Sequence, residues 1–231
     1  MEERIVLEAR SLTLSWDGGK TIVAQDVSVH LNAGETVCLV GRSGCGKTTL
    51  LHALSGLTTP ISGRLLVHGE DVTGKPGHVS YMLQKDLLLP NLTIIDNVCL
   101  PLTLAGTKRK DAHEKARPLF ERFGLAGTEQ SWPSELSGGM RQRAAFLRTY
   151  LMGNDVVLLD EPFSALDALT RLDIRGWYQA TAKELGIASL MITHDVGEAI
   201  AIADRVYALV GSPATAVEVA CDQDAIMRAL G

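Results

Sequence analysis

No stretch of this 231-residue sequence is apolar enough to span a bilayer. The longest candidate, Leu87 to Gly106, is interrupted by Pro90, Asn91, Asp96, Asn97 and Pro101, well short of the roughly 18 unbroken apolar residues a spanning helix needs. The opening Met1-Glu2-Glu3-Arg4 lacks the basic, apolar and small-residue succession of a secretory leader, so a chain that stays in the cytosol or on its face is expected. Cysteine is scarce: Cys38, Cys45, Cys99 and Cys221 are far apart and form no C-x-x-C pair, which fits thiols in a reducing compartment better than a disulfide framework or zinc site. The six histidines, His30, His52, His68, His78, His113 and His194, show no i, i+4 pairing and no cysteine partners, so they point to no metal centre. Basic charge is not in excess either. With 22 basic against 27 acidic residues the net charge is −5, and electrostatic binding to bare nucleic-acid backbones is not expected. The 46% hydrophobic and 21% charged fractions exclude wholesale disorder and collagen-like structure. What the chain does have in surplus is glycine: 22 residues, where average usage gives roughly 16.

Residues 5 to 31 alternate apolar and polar positions around Asp17-Gly18-Gly19-Lys20, the pattern of an antiparallel hairpin or small sheet. Thr36 to Val40 is a short β-rich run that passes at Gly41 into a glycine-rich loop and then a helical segment from about Gly46 to Ser55, with Gly56 as its stop. Two more apolar strands, Val156–Leu159 and Ser189–Ile192, are separated by an amphipathic segment near 168–185 ending at Gly186, and a helix over 197–204 follows. Strands alternating with helices predict a parallel sheet in an α/β protein. From about Lys85 to Met152 the spacing is helical, with Ala112, Ala116, Leu119, Phe120 and Phe123 on one apolar face. Pro118 interrupts that face, predicting a kink or a fresh helix start near Arg117.

Residues 41 to 48, Gly41-Arg42-Ser43-Gly44-Cys45-Gly46-Lys47-Thr48, satisfy G-x-x-x-x-G-K-[ST] after a strand and at the start of a helix. Average residue frequencies produce such a match by chance in roughly one chain in a hundred of this length. Glycines let successive N–H groups turn toward a phosphate, and the helix N-terminus adds partial positive charge. Lys47 neutralises phosphate oxygens, and the Thr48 hydroxyl suits Mg²⁺, a small hard ion that prefers oxygen. Val156 to Asp160-Glu161 delivers two adjacent carboxylates to a strand end, where open α/β sheets bind ligands. Since neighbouring strand residues point opposite ways, Asp160 can face Mg²⁺ while Glu161 orients or deprotonates an attacking water.

These two motifs leave several phosphate-loop classes open, and a third decides. At Leu136-Ser137-Gly138-Gly139-Met140-Arg141-Gln142-Arg143 the chain resembles the LSGGQ signature of ATP-binding-cassette (ABC) ATPases, with Met140 in place of the usual glutamine, and the resemblance covers essentially the whole chain. It implies a phosphate-loop NTPase (RecA-like) α/β core with an antiparallel β subdomain and an inserted helical subdomain. The expected layout is one ABC ATPase domain over 1–231, its core about 1–84 and 153–231 and its helical lobe about 85–152. The resemblance further implies ATP and Mg²⁺ as ligands. Trp16, 25 residues before Gly41, occupies the place of the aromatic that stacks on adenine, its alternative being sheet packing. Thr49, next to Thr48, joins the phosphate-loop contacts. Gln84 matches the glutamine that contacts Mg²⁺ and the attacking water and joins the core to the lobe. Ser164-Ala165-Leu166-Asp167 matches the loop along the dimer seam, and His194 the switch histidine at the γ-phosphate. Ser137, Gly138 and Gly139 open a helix and so offer a hydroxyl and unpaired N–H groups to an anion. In the family that anion is the γ-phosphate held by the other subunit of a head-to-tail, ATP-dependent homodimer.

One cassette without a spanning segment looks like the ATPase subunit of an importer, closest to bacterial subunits for nitrate, sulfonate, taurine and pyrimidine-precursor uptake through Asp160 to Arg171 and Tyr81 to Asp86. The implied partners are integral membrane permease subunits and, indirectly, a substrate-binding protein, with no nucleic acid. The implied location is peripheral, on the cytoplasmic face of the bacterial cell membrane. A soluble ABC ATPase acting on nucleic acid or ribosomes, and the subunit of a small exporter, are the alternatives.

Overall fold

The computed structural model describes residues 4–17 and 19–231; Met1, Glu2 and Glu3 of the leader argument, and Gly18 of the expected turn, lie outside the described residues. In chain order the elements begin with β1 (Ile5–Ser15), β2 (Ile22–Asn32), β3 (Thr36–Gly41), α1 (Lys47–Leu54), β4 (Ser62–Val67) and β5 (Glu70–Asp71). They continue with β6 (Ser80–Met82), α2 (Ile94–Val98), α3 (Leu100–Leu104), α4 (Arg109–Arg122), a 3₁₀ turn at Pro133–Glu135 and α5 (Gly138–Tyr150). The remainder holds β7 (Val156–Asp160), α6 (Ala168–Leu185), β8 (Ala188–Thr193), α7 (Val196–Ile202), β9 (Arg205–Val210), β10 (Thr215–Val219) and α8 (Gln223–Leu230). Two compact units result: the first holds residues up to Val79 with Asp155–Glu161 and Gly186–Gly231, the second Ser80–Asn154 with Pro162–Leu185.

In the first unit, β3, β7 and β8 are buried along their whole length, as strands of a parallel sheet covered on both faces must be. The sheet runs β10-β9-β3-β8-β7, parallel except for β10 at its edge. Its register sets Val40 opposite Thr193 and Asp160 opposite Ile192. β3, β7 and β8 therefore end side by side, and the loops that follow them start together at the end of the sheet where ligands bind in such folds. A second sheet, β2-β1-β4-β5, is antiparallel. Along β1 the residues Leu7, Ala9, Leu12 and Leu14 are buried, which accounts for the alternation seen in the sequence.

The second unit is mainly helical and centres on aromatic side chains. Phe123, Phe146, Tyr150, Phe163, Trp177 and Tyr178 meet with ring centroids between 5.3 and 5.9 Å apart, several edge to face, the arrangement aromatic quadrupoles favour. The stretch read as helical over about 85–152 lies within this unit. Residues 162–185 belong to it as well, since Phe163 and the α6 residues Trp177 and Tyr178 share the aromatic cluster. Ala112, Ala116, Phe120 and Phe123 are buried as the spacing predicts. Of the two expectations at Pro118 the fresh start near Arg117 is corrected: α4 runs through the proline from Arg109 to Arg122. Both Pro118 and Glu114 are exposed, so the carbonyl that loses its i+4 donor can turn to water, which lowers the cost of an interior proline.

Among the described residues no helix is long and apolar enough to cross a membrane. Phe146, 3% exposed, touches three aromatic partners. Its replacement by Ala is expected to destabilise the chain by about 3–5 kcal/mol, read from the shift of the urea unfolding midpoint; a change under about 1 kcal/mol contradicts its place at the centre of the cluster.

Candidate active site

The loops that leave β3, β7 and β8 bring one group of candidate residues together, all of it in the first unit. After β3 the chain turns through Gly44 at φ 80° and Gly46 at φ 97°, left-handed conformations that glycine alone adopts without penalty. Gly46 caps α1, whose first turn carries no acidic residue, so its N–H groups and the positive end of its dipole are left for a ligand. Ser43 and Gly44 are exposed at the mouth of this loop and Cys45 is half-buried. Lys47 is only 6% exposed. Its Nζ donates to the carbonyls of Gly41 and Arg42, each at 2.9 Å, and among the described residues no carboxylate pairs with it. A buried ammonium without a counter-charge is costly, and an anion is what resolves it.

Beside it, Thr48 Oγ1 donates to Asp160 Oδ2 at 3.3 Å, and Asp160 is buried at the end of β7. Two hard oxygen donors next to the phosphate loop fit Mg²⁺, which takes few protein ligands and keeps several waters. Trp16 donates from Nε1 to Thr49 Oγ1 at 2.7 Å while remaining 66% exposed. Its ring is thus fixed beside the loop by one edge and presents a free face, so sheet packing does not explain it.

Glu161 follows Asp160 in a left-handed conformation, φ 43°, which costs a non-glycine residue about 1–2 kcal/mol. The strain is held by its own N–H, which donates to Ile192 O at 2.9 Å. The carboxylate Oε2 lies 3.0 Å from His194 Nδ1, with Glu161 largely buried and His194 more than half exposed. A cavity of about 500 Å³ opens onto Gly41, Arg42, Ser43, Glu161 and His194 and is walled by Val196, Met227 and Leu230. Sequence reasoning missed Arg42 as a wall residue and missed α8 altogether. No motif marks Met227 or Leu230, and only the return of the chain alongside β9 brings them here.

The other candidate residues lie in the second unit and are gathered there by α5 and α6. Ser137 caps α5, its Oγ accepting from Met140 N at 3.3 Å. A Cβ on Gly139 would fall 2.9 Å from Thr170 Cγ2 and one on Gly138 3.3 Å from Leu166 Cδ2, so the two glycines let the start of α5 sit close against the 164–170 turn without displacing those side chains. Asp167 accepts from Thr170 Oγ1 at 2.6 Å and Thr170 N at 3.1 Å; these bonds, the hydroxyl first, hold its carboxyl below the usual range. Gln84 donates from Nε2 to Ser164 Oγ at 3.2 Å. Gln84, the Ser137 turn and the Asp167 loop thus converge in this unit, as Trp16, Lys47, Thr48, Asp160, Glu161 and His194 converge in the first.

A parallel sheet with a phosphate loop after one strand and an acidic pair after another defines the phosphate-loop NTPase class. A solved structure of the same fold, cbiO1 from Clostridium perfringens, part of the ABC transporter complex cbiONQ, aligns with a TM-score of 0.83 at 21% identity over 93% of this chain and 88% of that one. Residues 24–164 match the family described as ABC transporter. The chain is 41% identical to the formylaminopyrimidine import ATP-binding protein of Halalkalibacterium halodurans over 83% of this chain and 74% of that protein. It is 37% identical to the taurine import ATP-binding protein of Pseudomonas aeruginosa over 93% and 82% respectively. The chain belongs to the ABC transporter family. It binds ATP, and its activity is ATP hydrolysis coupled to transport.

Lys47→Ala removes the buried charge from the phosphate loop. ATP affinity is expected to fall roughly 10- to 150-fold, the equivalent of about 1.5–3 kcal/mol for a charge-assisted contact, in equilibrium binding with a fluorescent ATP analogue; unchanged affinity contradicts the placement of the triphosphate at this loop.

Proposed function

We propose that this chain is the ATP-hydrolysing subunit of a bacterial small-molecule importer, acting as a head-to-tail homodimer on the cytoplasmic face of the membrane. The observation that carries the catalytic part is the pairing of Glu161 with His194 at 3.0 Å, together with a buried Lys47 that pairs with no carboxylate among the described residues. The import-subunit names of relatives at 41% and 37% identity support the direction of transport. Integral membrane permease subunits are the immediate partners, and a substrate-binding protein acts through them.

In this assignment the loop N–H groups and Lys47 bind the β- and γ-phosphates, and Trp16 stacks on adenine. Glu161 accepts the proton of the attacking water, and its left-handed backbone aims the carboxylate into the cavity rather than along the strand. His194, oriented by Glu161, donates toward the γ-phosphate. Thr48 and Asp160 would hold Mg²⁺, which would supply charge neutralisation at the phosphates, and Gln84 keeps the role that the family pattern gives it. Ser137 and the N–H groups of Gly138 and Gly139 clasp the γ-phosphate of the partner protomer, with Asp167 along the seam. Because the Ser137 hydroxyl and these N–H groups are kept, Met140 leaves the clasp in place.

ATP bound by two protomers at once stabilises the dimer, and its hydrolysis releases it. Glu161→Gln keeps the size and the hydrogen-bonding oxygen but loses the base. It is expected to bind ATP normally, to lower kcat by about 10²–10⁴-fold, and to accumulate an ATP-dependent dimer in size-exclusion chromatography. Turnover at the unmodified rate removes Glu161 from the mechanism.

A further inference from the structure

Between Gln84 and the apolar run that begins at Leu87 the chain makes a strained turn held from the signature helix. Leu87 sits at φ 46°, a conformation its side chain disfavours. Half of that side chain is exposed, so its own burial does not compensate for the strain. The carbonyls of the turn are held by one guanidinium: Arg148, in the last turn of α5, donates from Nη1 to Leu87 O at 2.9 Å and from Nη2 to Asp86 O. The Asp86 carboxylate is fixed at both oxygens, Oδ2 by Arg141 Nε at 3.3 Å and Oδ1 by Leu88 N at 3.1 Å. Arg141 in turn donates to Leu136 O at 2.7 Å, directly before Ser137. Beyond the turn, the fully buried Asn97 clamps Leu89 through N at 2.6 Å and O at 3.0 Å. The residues on both sides of Leu87 are thus anchored, and Leu87 alone carries the strain.

We propose that Arg148 is a positioning residue for ATP hydrolysis: its fork locks the Asp86–Leu87 turn in the left-handed form and thereby fixes where Gln84 lies. The inference rests on the assignment of Gln84 to the nucleotide site. Without Arg148, Leu87 relaxes to negative φ and the chain direction changes three residues from Gln84. Glycine occupies positive φ freely, so with glycine at position 87 the turn no longer depends on Arg148. Lysine presents a point charge in place of a fork and can satisfy the two carbonyls only in part.

The test is a cycle of four chains, the native one, Arg148→Ala, Leu87→Gly and the double variant, assayed for steady-state ATP hydrolysis and for amide hydrogen exchange over residues 85–92. Arg148→Ala is expected to lower kcat about 10-fold or more with KM for ATP within about twofold, and to speed exchange; in the Leu87→Gly background the same change costs about threefold or less. Arg148→Lys falls between. Leu87→Val, which adds strain at a half-exposed position and leaves Arg148 intact, also lowers kcat, and this covers an Arg148→Ala chain that does not fold. Equal losses in both backgrounds, or exchange unmoved by Arg148→Ala, overturn the lock. Full turnover by Gln84→Ala overturns the Gln84 assignment instead.

Discussion

The dense negative charge of a triphosphate is the constraint on which this structure turns. A protein can hold it only with donors already aimed and already out of water, because donors that must reorganise give back most of what they gain. The first unit answers with backbone: left-handed glycines at 44 and 46, the uncompensated start of α1, and one buried ammonium bonded to carbonyls. None of this raises the net charge, which stays at −5. Local geometry, rather than overall charge, prepares the anion site, and the surplus of glycine is in part its record.

Strain is the second resource. Two non-glycine residues with large side chains, Glu161 and Leu87, sit at φ 43° and 46° at the two loops on which hydrolysis is proposed to depend. In each case named bonds hold the backbone: Glu161 N to Ile192 O in the first unit, and the Arg148 fork on Asp86 O and Leu87 O in the second. Strained residues persist only where the surroundings over-determine them. Here the first aims a carboxylate into the cavity that also holds His194, and the second is proposed to set the course of the chain beside Gln84.

Much of the site was legible in the sequence because its parts are local. A phosphate loop, a strand ending in two carboxylates, and a serine and two glycines opening a helix are each written within eight consecutive residues, and the strand register then needs only to bring the first two together. Less legible was whatever depends on chain return. Asp86 and Arg148 are 62 residues apart, and Met227 and Leu230 reach the cavity wall from a helix no motif marks. Backbone strain at Glu161 has no compositional sign either, since glutamate does not announce a positive φ. At Pro118 the helix does not restart, because the freed carbonyl belongs to an exposed residue and can turn to water. The grouping of 162–185 with the helical unit follows from Phe163, Trp177 and Tyr178, whose shared packing is a tertiary fact.

The central claim is that ATP is hydrolysed between the phosphate loop of one protomer and the Ser137 turn of another. Mixing two chains that are each inactive tests it most directly: Lys47→Ala, with an intact Ser137 turn, and Ser137→Glu, with an intact phosphate loop. A head-to-tail dimer of the two assembles one complete site, so the mixture is expected to hydrolyse ATP when neither chain alone does. A mixture as inactive as its components contradicts the account.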